Sequence, residues 1–339
     1  HNSYYYTFKS YKKGIFLYQL ISIKGYKMGL GGISAESMFD DISYDDLSTK
    51  LNKLKSRYLE GDIPNLKERK QRLKKLIDIV ENNADAIGDA IQSDFGTRHK
   101  QLSLMADVRS TLSFANHSFK NLSSWMSPEK RSPNFPLNLL GAKAKVHYQP
   151  YGVVGIISPW NFPVNLSIGP LVDAFAAGNA GMIKLSEFVP STSRLLEQLI
   201  CEKFDETEVA VINGGMQTSI DFTRLPFDHL IYTGSTDIAR KVSSEAAKNL
   251  VPLTLELGGK SPTILSDGAI IEKSVNKILF GKLLNGGQIC VSPDYSFIPE
   301  HKVEKFIETS KKFISEKFPT IKNNPDYTSL VHQSHYERV

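Results

Sequence analysis

Three side chains in this sequence carry the groups needed to work on a carbonyl carbon: a thiol, a carboxylate and an amide. Cys290 closes the run Asn285-Gly286-Gly287-Gln288-Ile289-Cys290. Glu256 lies in Leu255-Glu256-Leu257-Gly258-Gly259-Lys260, and Asn161 in Pro159-Trp160-Asn161-Phe162-Pro163. A thiolate attacks a carbonyl, an amide N–H holds the oxyanion that forms, and a carboxylate activates water. Each residue also has an ordinary reading. Cysteine is most often a small buried hydrophobe, and Cys201, on an amphipathic stretch, is expected to be one. Cys290 differs because two glycines and a glutamine precede it, which leaves room for substrate and cofactor to approach. Glu256 follows an apolar strand, where burial is expected to push a carboxylate's pKa upward; the alternative is an ion pair with Lys260. Asn161, set among aromatics and prolines, could simply make a turn.

The segments that must position these groups alternate between strand and helix. Val153-Val154-Gly155-Ile156-Ile157 is a continuous apolar run, as expected for a strand buried on both faces. A helix is expected over 166–177, a strand over 181–185, a helix over 191–203, and strands over 209–212 and 229–232. A helix from 235 to about 250 and a strand over 253–255 complete the series. Such alternation with short connections predicts an α/β fold with a doubly wound parallel sheet, in which ligands bind beyond the carboxyl ends of the strands. Asn161, Lys184, Gly234 and Glu256 fall at those ends. Upstream, 43–130 reads as helical. Ser43 and Asp46 form a variant capping box, and Leu47, Leu51, Leu54 and Tyr58 recur at helical spacing. Gly61 closes that helix and Pro64 opens the next segment. Leu66, Leu73, Leu76, Ile77 and Val80 mark a second helix whose basic residues form its solvated face. Residues 127–142 read as a linker, and 143–148 as a half-exposed strand.

A length of 339 residues suggests two domains, and 41% hydrophobic with 23% charged residues is a globular composition. Two cysteines provide neither a disulfide framework nor a zinc spacing, which points to a reducing, cytoplasmic setting. The eight histidines show no ligand pattern, so no metal is expected. The net charge of +5 resides in the leader: Lys9, Lys12, Lys13, Lys24 and Lys27 precede any acidic residue. Without those five, the 41 basic residues fall to the number of acidic ones, 36, so a nucleic-acid partner is not expected. The leader, 1–40, begins at His1 rather than Met and is expected to lie upstream of a start at Met28 or Met38 and to be poorly ordered. Its apolar stretch, 14–23, is too short to span a bilayer, and no other stretch reaches that length.

In these motifs and their order the chain resembles the aldehyde dehydrogenases from about residue 45 onward. Within them it is most similar to the class-3 and coniferyl aldehyde dehydrogenase branch. The compact Asn–Glu–Cys spacing and Cys290-Val291-Ser292-Pro293-Asp294-Tyr295 carry that finer likeness. The resemblance implies a Rossmann-like NAD-binding domain over 41–256, with 143–152 in an oligomerisation hairpin, and an incomplete catalytic domain over 257–339. It implies that Cys290 forms a thiohemiacetal and then a thioester, that Asn161 and the Cys290 N–H hold the oxyanion, and that Glu256 activates the hydrolytic water. Lys184 and Glu187 would grip the adenosine ribose, Glu187 favouring NAD with NADP as the alternative; both could equally be surface charge. Gly234 and Ser235 would receive pyrophosphate at a helix start, unless Ser235 is merely a cap. Ile157, Ser158, Trp160, Leu257 and Gly258 would line the cofactor.

Leu185 stands where the family usually has proline, Ala239 where it has glycine, Gly286 where it has alanine and Ile289 where threonine is frequent. None of these departures removes a reacting group. An aromatic or medium-chain aldehyde such as coniferyl aldehyde and a homodimer are implied. The family's later Glu-Ile-Phe-Gly-Pro segment, which holds the nicotinamide ribose, does not occur in these 339 residues, so weak activity is expected of this chain. Two rivals stay open: a CoA-acylating enzyme, whose relatives generally lack the Glu256 base, and a non-catalytic relic.

Overall fold

The structure, a computed structural model, describes residues 8–11, 15–19, 39–61, 63–322 and 324–338. Two leader strands come first, β1 (Phe8–Tyr11) and β2 (Ile15–Gln19), paired antiparallel. Helices α1 (Tyr44–Glu60), α2 (Leu66–Asn82), α3 (Ala84–Phe95) and α4 (Lys100–Ser103) follow, then a π-helical turn, Leu104–Arg109, and α5 (Ser110–Trp125). Ser43 Oγ accepts from the Asp46 N–H at 3.1 Å and donates to Asp46 Oδ2 at 2.7 Å, which caps α1. Asn65 and Glu68 form a full capping box on α2. Each such cap contributes about 1 kcal/mol.

Strands β3 (Glu129–Arg131) and β4 (Ala144–Val146) pair antiparallel. The expected linker therefore opens with a strand, and the expected strand over 143–148 shortens to three residues. Both are largely exposed, because among the described residues this two-stranded sheet has no further strand to join.

The alternating region forms β5 (Val153–Ile157), α6 (Asn165–Ala177), β6 (Ala180–Lys184), α7 (Pro190–Cys201) and β7 (Val209–Ile212). It continues through α8 (Met216–Thr223), β8 (His229–Gly234), α9 (Thr236–Ala247) and β9 (Leu253–Leu257). The five strands form one sheet in the order β7-β6-β5-β8-β9, with β5 parallel to both β6 and β8, and β6 parallel to β7. Every residue of β6 and β7 is buried, as the apolar runs require. Helix α6 packs on β5 and β6, α7 on β7, α9 on β8, and α1 across β5, β6 and β7. Phe175 on α6 is fully buried, and burying such a side chain contributes about 1.5–3 kcal/mol.

The last segment adds β10 (Ser261–Ile264), α10 (Ile271–Leu283), β11 (Pro293–Pro299), α11 (Val303–Lys317) and α12 (Gln333–Arg338). β10 and β11 are parallel, and β2 joins β11 antiparallel with Gln19 opposite Tyr295. Within the leader, 8–11 and 15–19 are thus placed as strands. Ile15-Phe16-Leu17-Tyr18, rich in β-branched and aromatic residues, is a sequence suited to such pairing. The rest of the leader, including Met28 and Met38, lies outside the described residues. A separate core of Leu265, Ile271, Val275, Ile278, Leu279, Ile298, Val303 and Phe306 holds α10, α11 and β11 together.

The chain divides into two compact units: Ser37–Ala90 with Leu104–Glu256, and His1–Glu36 with Ile91–Ser103 and Leu257–Val339. Residues 91–103 were expected in the first. Thr97 Oγ1 donates to the Tyr327 carbonyl at 2.9 Å, which ties that stretch to the second. No helix among the described residues is long and apolar enough to cross a membrane.

Candidate active site

Asn161 sits in the loop that leaves β5. Ile157, the last residue of that strand, is in register with Lys184 on one side and Tyr232 on the other. Because β5 is parallel to β6 and β8, the Asn161 loop, Lys184 and Gly234 leave the sheet at the same edge. The next strand in the chain lies on one side of β5 and β8 on the other, so this edge is a topological switch point. The Ser158 N–H donates to the Lys184 carbonyl at 3.0 Å and links the two strand ends. Ser158 Oγ is buried and has no hydrogen-bond partner among the described residues. Asn161 Oδ1 accepts from the Phe162 N–H at 3.1 Å, so the other end of the amide is the NH₂ donor. Trp160 and Asn161 are both half-buried.

After this loop α6 begins without a cap of its own, since Val164 offers no acceptor. Asp107, from the π-helical turn, supplies one: its Oδ1 accepts from the Val164 N–H at 3.1 Å and the Asn165 N–H at 3.3 Å. Sequence reasoning missed Asp107. Nothing local marks it, because its partners lie more than fifty residues downstream.

Lys184 is 1% exposed. Its Nζ donates to the Leu185 carbonyl at 2.7 Å and to Glu187 Oε2 at 3.3 Å. Burial pushes its pKa below the usual lysine value, and the Glu187 carboxylate opposes that shift. Burial removes the surface-charge alternative for Lys184. Ser235 is the N-cap of α9 and accepts from the Ile238 N–H at 3.4 Å, and Tyr232 Oη donates to the Ser235 carbonyl at 3.3 Å. Ser235 thus caps α9, with Gly234 half-buried behind it.

Glu256 departs from expectation. It lies inside β9 rather than after it, on the edge strand of the sheet, and is exposed. Half-buried and exposed residues alternate along β9, and Glu256 falls in the exposed set. Lys260, the alternative partner, pairs with Asp294 at 2.7 Å. Cys201 also departs: it is the last residue of α7 and exposed rather than buried.

In the second unit, α10 ends in a tight turn, where Asn285, Gly286 and Gly287 have φ of 53°, 63° and 77°. Three successive left-handed residues make a sharp reversal that L side chains resist, so the glycines serve the backbone rather than open space. Gln288 locks the turn: Nε2 donates to the Asn285 and Ser329 carbonyls at 2.9 and 3.0 Å, and Oε1 accepts from the Val331 N–H at 3.1 Å. Cys290 follows and is exposed. Leu257 ends β9 and Gly258 is exposed beside it. A Cβ at Gly259 would lie 3.1 Å from the Cys290 carbonyl, so this glycine lets the turn after β9 run against the cysteine loop. Lys260 and Lys282 both face Asp294, and burial lowers the pKa of Lys282.

The sequence model of the aldehyde dehydrogenase family matches residues 63–339. A "Probable coniferyl aldehyde dehydrogenase" of Caulobacter vibrioides is 47% identical over 85% of this chain and 60% of its own length. The coniferyl aldehyde dehydrogenase of a Pseudomonas species is 41% identical over 88% of this chain and 61% of its own. A solved structure, the substrate-bound state of Staphylococcus aureus AldH, superposes with a TM-score of 0.81 at 34% identity, covering 86% of this chain and 63% of that one. The chain thus spans about three fifths of the length of these relatives.

Proposed function

Since the chain belongs to the aldehyde dehydrogenase family, we propose that it oxidises an aldehyde to the carboxylic acid with NAD, using Cys290, Asn161 and Glu256. The observation that carries the reading is the common edge at which β5, β6 and β8 deliver Asn161, Lys184 and Gly234. In this reading the first unit is the NAD-binding domain and the second the catalytic domain.

The residues at this edge suit a dinucleotide. An ammonium has three donors, and two of those on Lys184 are engaged among the described residues, which leaves one for a ribose hydroxyl. Glu187 accepts from a second hydroxyl and repels a 2′-phosphate, which favours NAD over NADP. The partnerless Ser158 Oγ gains a hydrogen bond when a ligand covers it. Ile157, Trp160, Leu257 and Gly258 complete the lining, and pyrophosphate meets the start of α9 at Gly234 and Ser235.

When bound there, NAD would supply the hydride acceptor. The chain's own residues do the rest. The Cys290 thiolate adds to the aldehyde carbon, and the Asn161 NH₂ and the Cys290 N–H hold the oxyanion. Loss of hydride leaves a thioester. Glu256 takes a proton from water, whose oxygen adds to the acyl carbon, and the C–S bond breaks to release the acid and the thiolate. The names of the two relatives support an aromatic aldehyde, coniferyl aldehyde among them. A homodimer and a cytoplasmic setting belong to the same reading, the latter supported by two free thiols.

The test uses NAD and coniferyl aldehyde with NADH as the signal. Cys290→Ala is expected to abolish NADH formation. Glu256→Gln is expected to retain one NADH per active site, followed by loss of steady turnover, because acylation survives and hydrolysis does not. Formation of acyl-CoA on addition of CoA, with no free acid, would establish the acylating alternative. Turnover by Cys290→Ala would end the mechanism, and NAD binding without any NADH in the wild type would favour the relic.

A further inference from the structure

Asn161 can hold an oxyanion only if its loop stays in place between substrate encounters, and the sequence of that loop does not by itself provide the anchor. The loop runs from the end of β5 into α6, a helix whose first amides lack a local acceptor. Pro163 and Val164 precede it, and neither side chain can accept a hydrogen bond. The amides are instead satisfied by a carboxylate from another helix, Asp107, which is 0% exposed. Its Oδ1 takes both the Val164 and the Asn165 N–H, at 3.1 and 3.3 Å. The carboxylate also meets the positive end of the α6 dipole.

Asp107 is itself held. Thr111 Oγ1 donates to the Asp107 carbonyl at 2.5 Å and lies 3.2 Å from Asn165 Oδ1, so the two segments are joined at a second point. Asp107 lies on the π-helical turn Leu104–Arg109, an irregularity that changes which way side chains leave a helix and recurs at functional sites. Ser167 Oγ donates to the Pro163 carbonyl at 2.6 Å and fixes the chain from the α6 side. Asn161 is therefore three residues from one end of a doubly anchored junction.

We propose that Asp107 is a positioning residue for the oxyanion amide: it fixes the first turn of α6 and through it the loop that carries Asn161. The proposal rests on the reading of Asn161 given above. Asp107 touches no reacting atom. Its removal is expected to lower the rate of the acylation step, which a cofactor-free substrate reports without any contribution from the cofactor residues Ser158 and Trp160 of the same loop.

The test compares Asp107→Ala, Asp107→Asn and Asn161→Ala in the full 339-residue chain. Two readouts are used. The first is hydrogen exchange resolved at Val164 and Asn165. The second is acylation of Cys290 by p-nitrophenyl acetate, which needs the thiolate and the oxyanion donors but no cofactor and releases p-nitrophenolate. Asp107→Ala is expected to speed exchange at both amides at least about tenfold and to slow the acylation burst by roughly 10- to 100-fold, the scale of a misplaced reacting group. Burst amplitude should stay within about twofold of wild type, which a merely unfolded fraction would not allow. Asp107→Asn keeps an acceptor oxygen and is expected to recover most of the lost rate. Unchanged exchange in Asp107→Ala overturns the anchoring. Faster exchange with an unchanged burst rate overturns its link to Asn161. If Asn161→Ala acylates at the wild-type rate, the oxyanion reading fails, and the exchange data still decide the anchor. Should Asp107→Ala not fold, Asp107→Ser, with a shorter oxygen, is put through the same readouts with the same two overturning results.

Discussion

Replacing Lys184 with methionine separates two roles that a buried lysine can have. Methionine matches its length and flexibility and removes the charge. In the wild type the ammonium is 1% exposed, and burial holds its pKa below the usual value of 10.5. Removing it ends that desolvation cost. Against this, the Leu185 carbonyl loses its 2.7 Å donor, a loss of about 1–3 kcal/mol for a buried acceptor. Glu187 is about a quarter exposed and stays hydrated without its partner. Replacing a buried ion by an apolar group of similar volume is often neutral or stabilising, so the two effects should offset to within about 1 kcal/mol of folding stability. Cofactor affinity is different. A charge-assisted hydrogen bond to a ribose hydroxyl is worth about 1.5–3 kcal/mol, which is roughly a 10- to 150-fold rise in the Kd for NAD. Urea unfolding and NAD titration by calorimetry measure the two quantities on the same preparation. The pH dependence adds a signature. A folded pKa below 10.5 means the unfolded chain binds a proton that the folded chain lacks between those two values. Wild-type stability therefore rises with pH through that window and falls as pH drops through the folded pKa, and Lys184→Met should lose this slope. Wild-type NAD affinity in Lys184→Met, together with a stability loss above about 2 kcal/mol, would refute the reasoning and make Lys184 a structural cation.

Two further outcomes follow from the geometry. Gly287→Ala forces a Cβ into a left-handed turn at φ 77° and 3.1 Å from the Lys282 carbonyl; the variant should lose about 1–3 kcal/mol in urea unfolding, and Cys290 should alkylate at a changed rate, measured in a Cys201→Ala background. Asp173 lines a cleft of about 520 Å³ with Arg69, Trp125 and Tyr148; its side chain keeps solvent contact, and partial desolvation by the cleft walls raises its pKa to about 6. The folded chain thus holds this proton more tightly than the unfolded one, so its contribution is full below 3.8 and is lost as pH rises through about 6. Asp173→Asn should gain in thermal midpoint over wild type between about pH 4 and about pH 7, and a constant difference across that range would count against the shift.

Much of the sheet and of its chemistry was legible from local pattern. Apolar runs such as Val153–Ile157 and Val209–Ile212 can be satisfied only by strands covered on both faces, so their ends, and the groups at them, could be located. Cys290 stood out by its neighbours, and its glycines have a backbone role that the sequence reading did not include. They serve a left-handed reversal, which composition alone does not distinguish from an open approach. Ser235 was legible as a cap because capping is a contact over three residues.

Only the tertiary structure decided the rest. It placed Glu256 on an edge strand, where half the residues face outward, and Cys201 on an exposed helix end. It buried Lys184, joined 91–103 to a distant segment through Thr97, and added leader strands to β11. Above all, it brought Asp107 to the start of α6. The sequence by itself determined which groups can do the chemistry and which strands end beside them, because residue type and periodicity are local properties. Their exposure and their anchors depend on partners far along the chain, and no local pattern encodes where those partners will be.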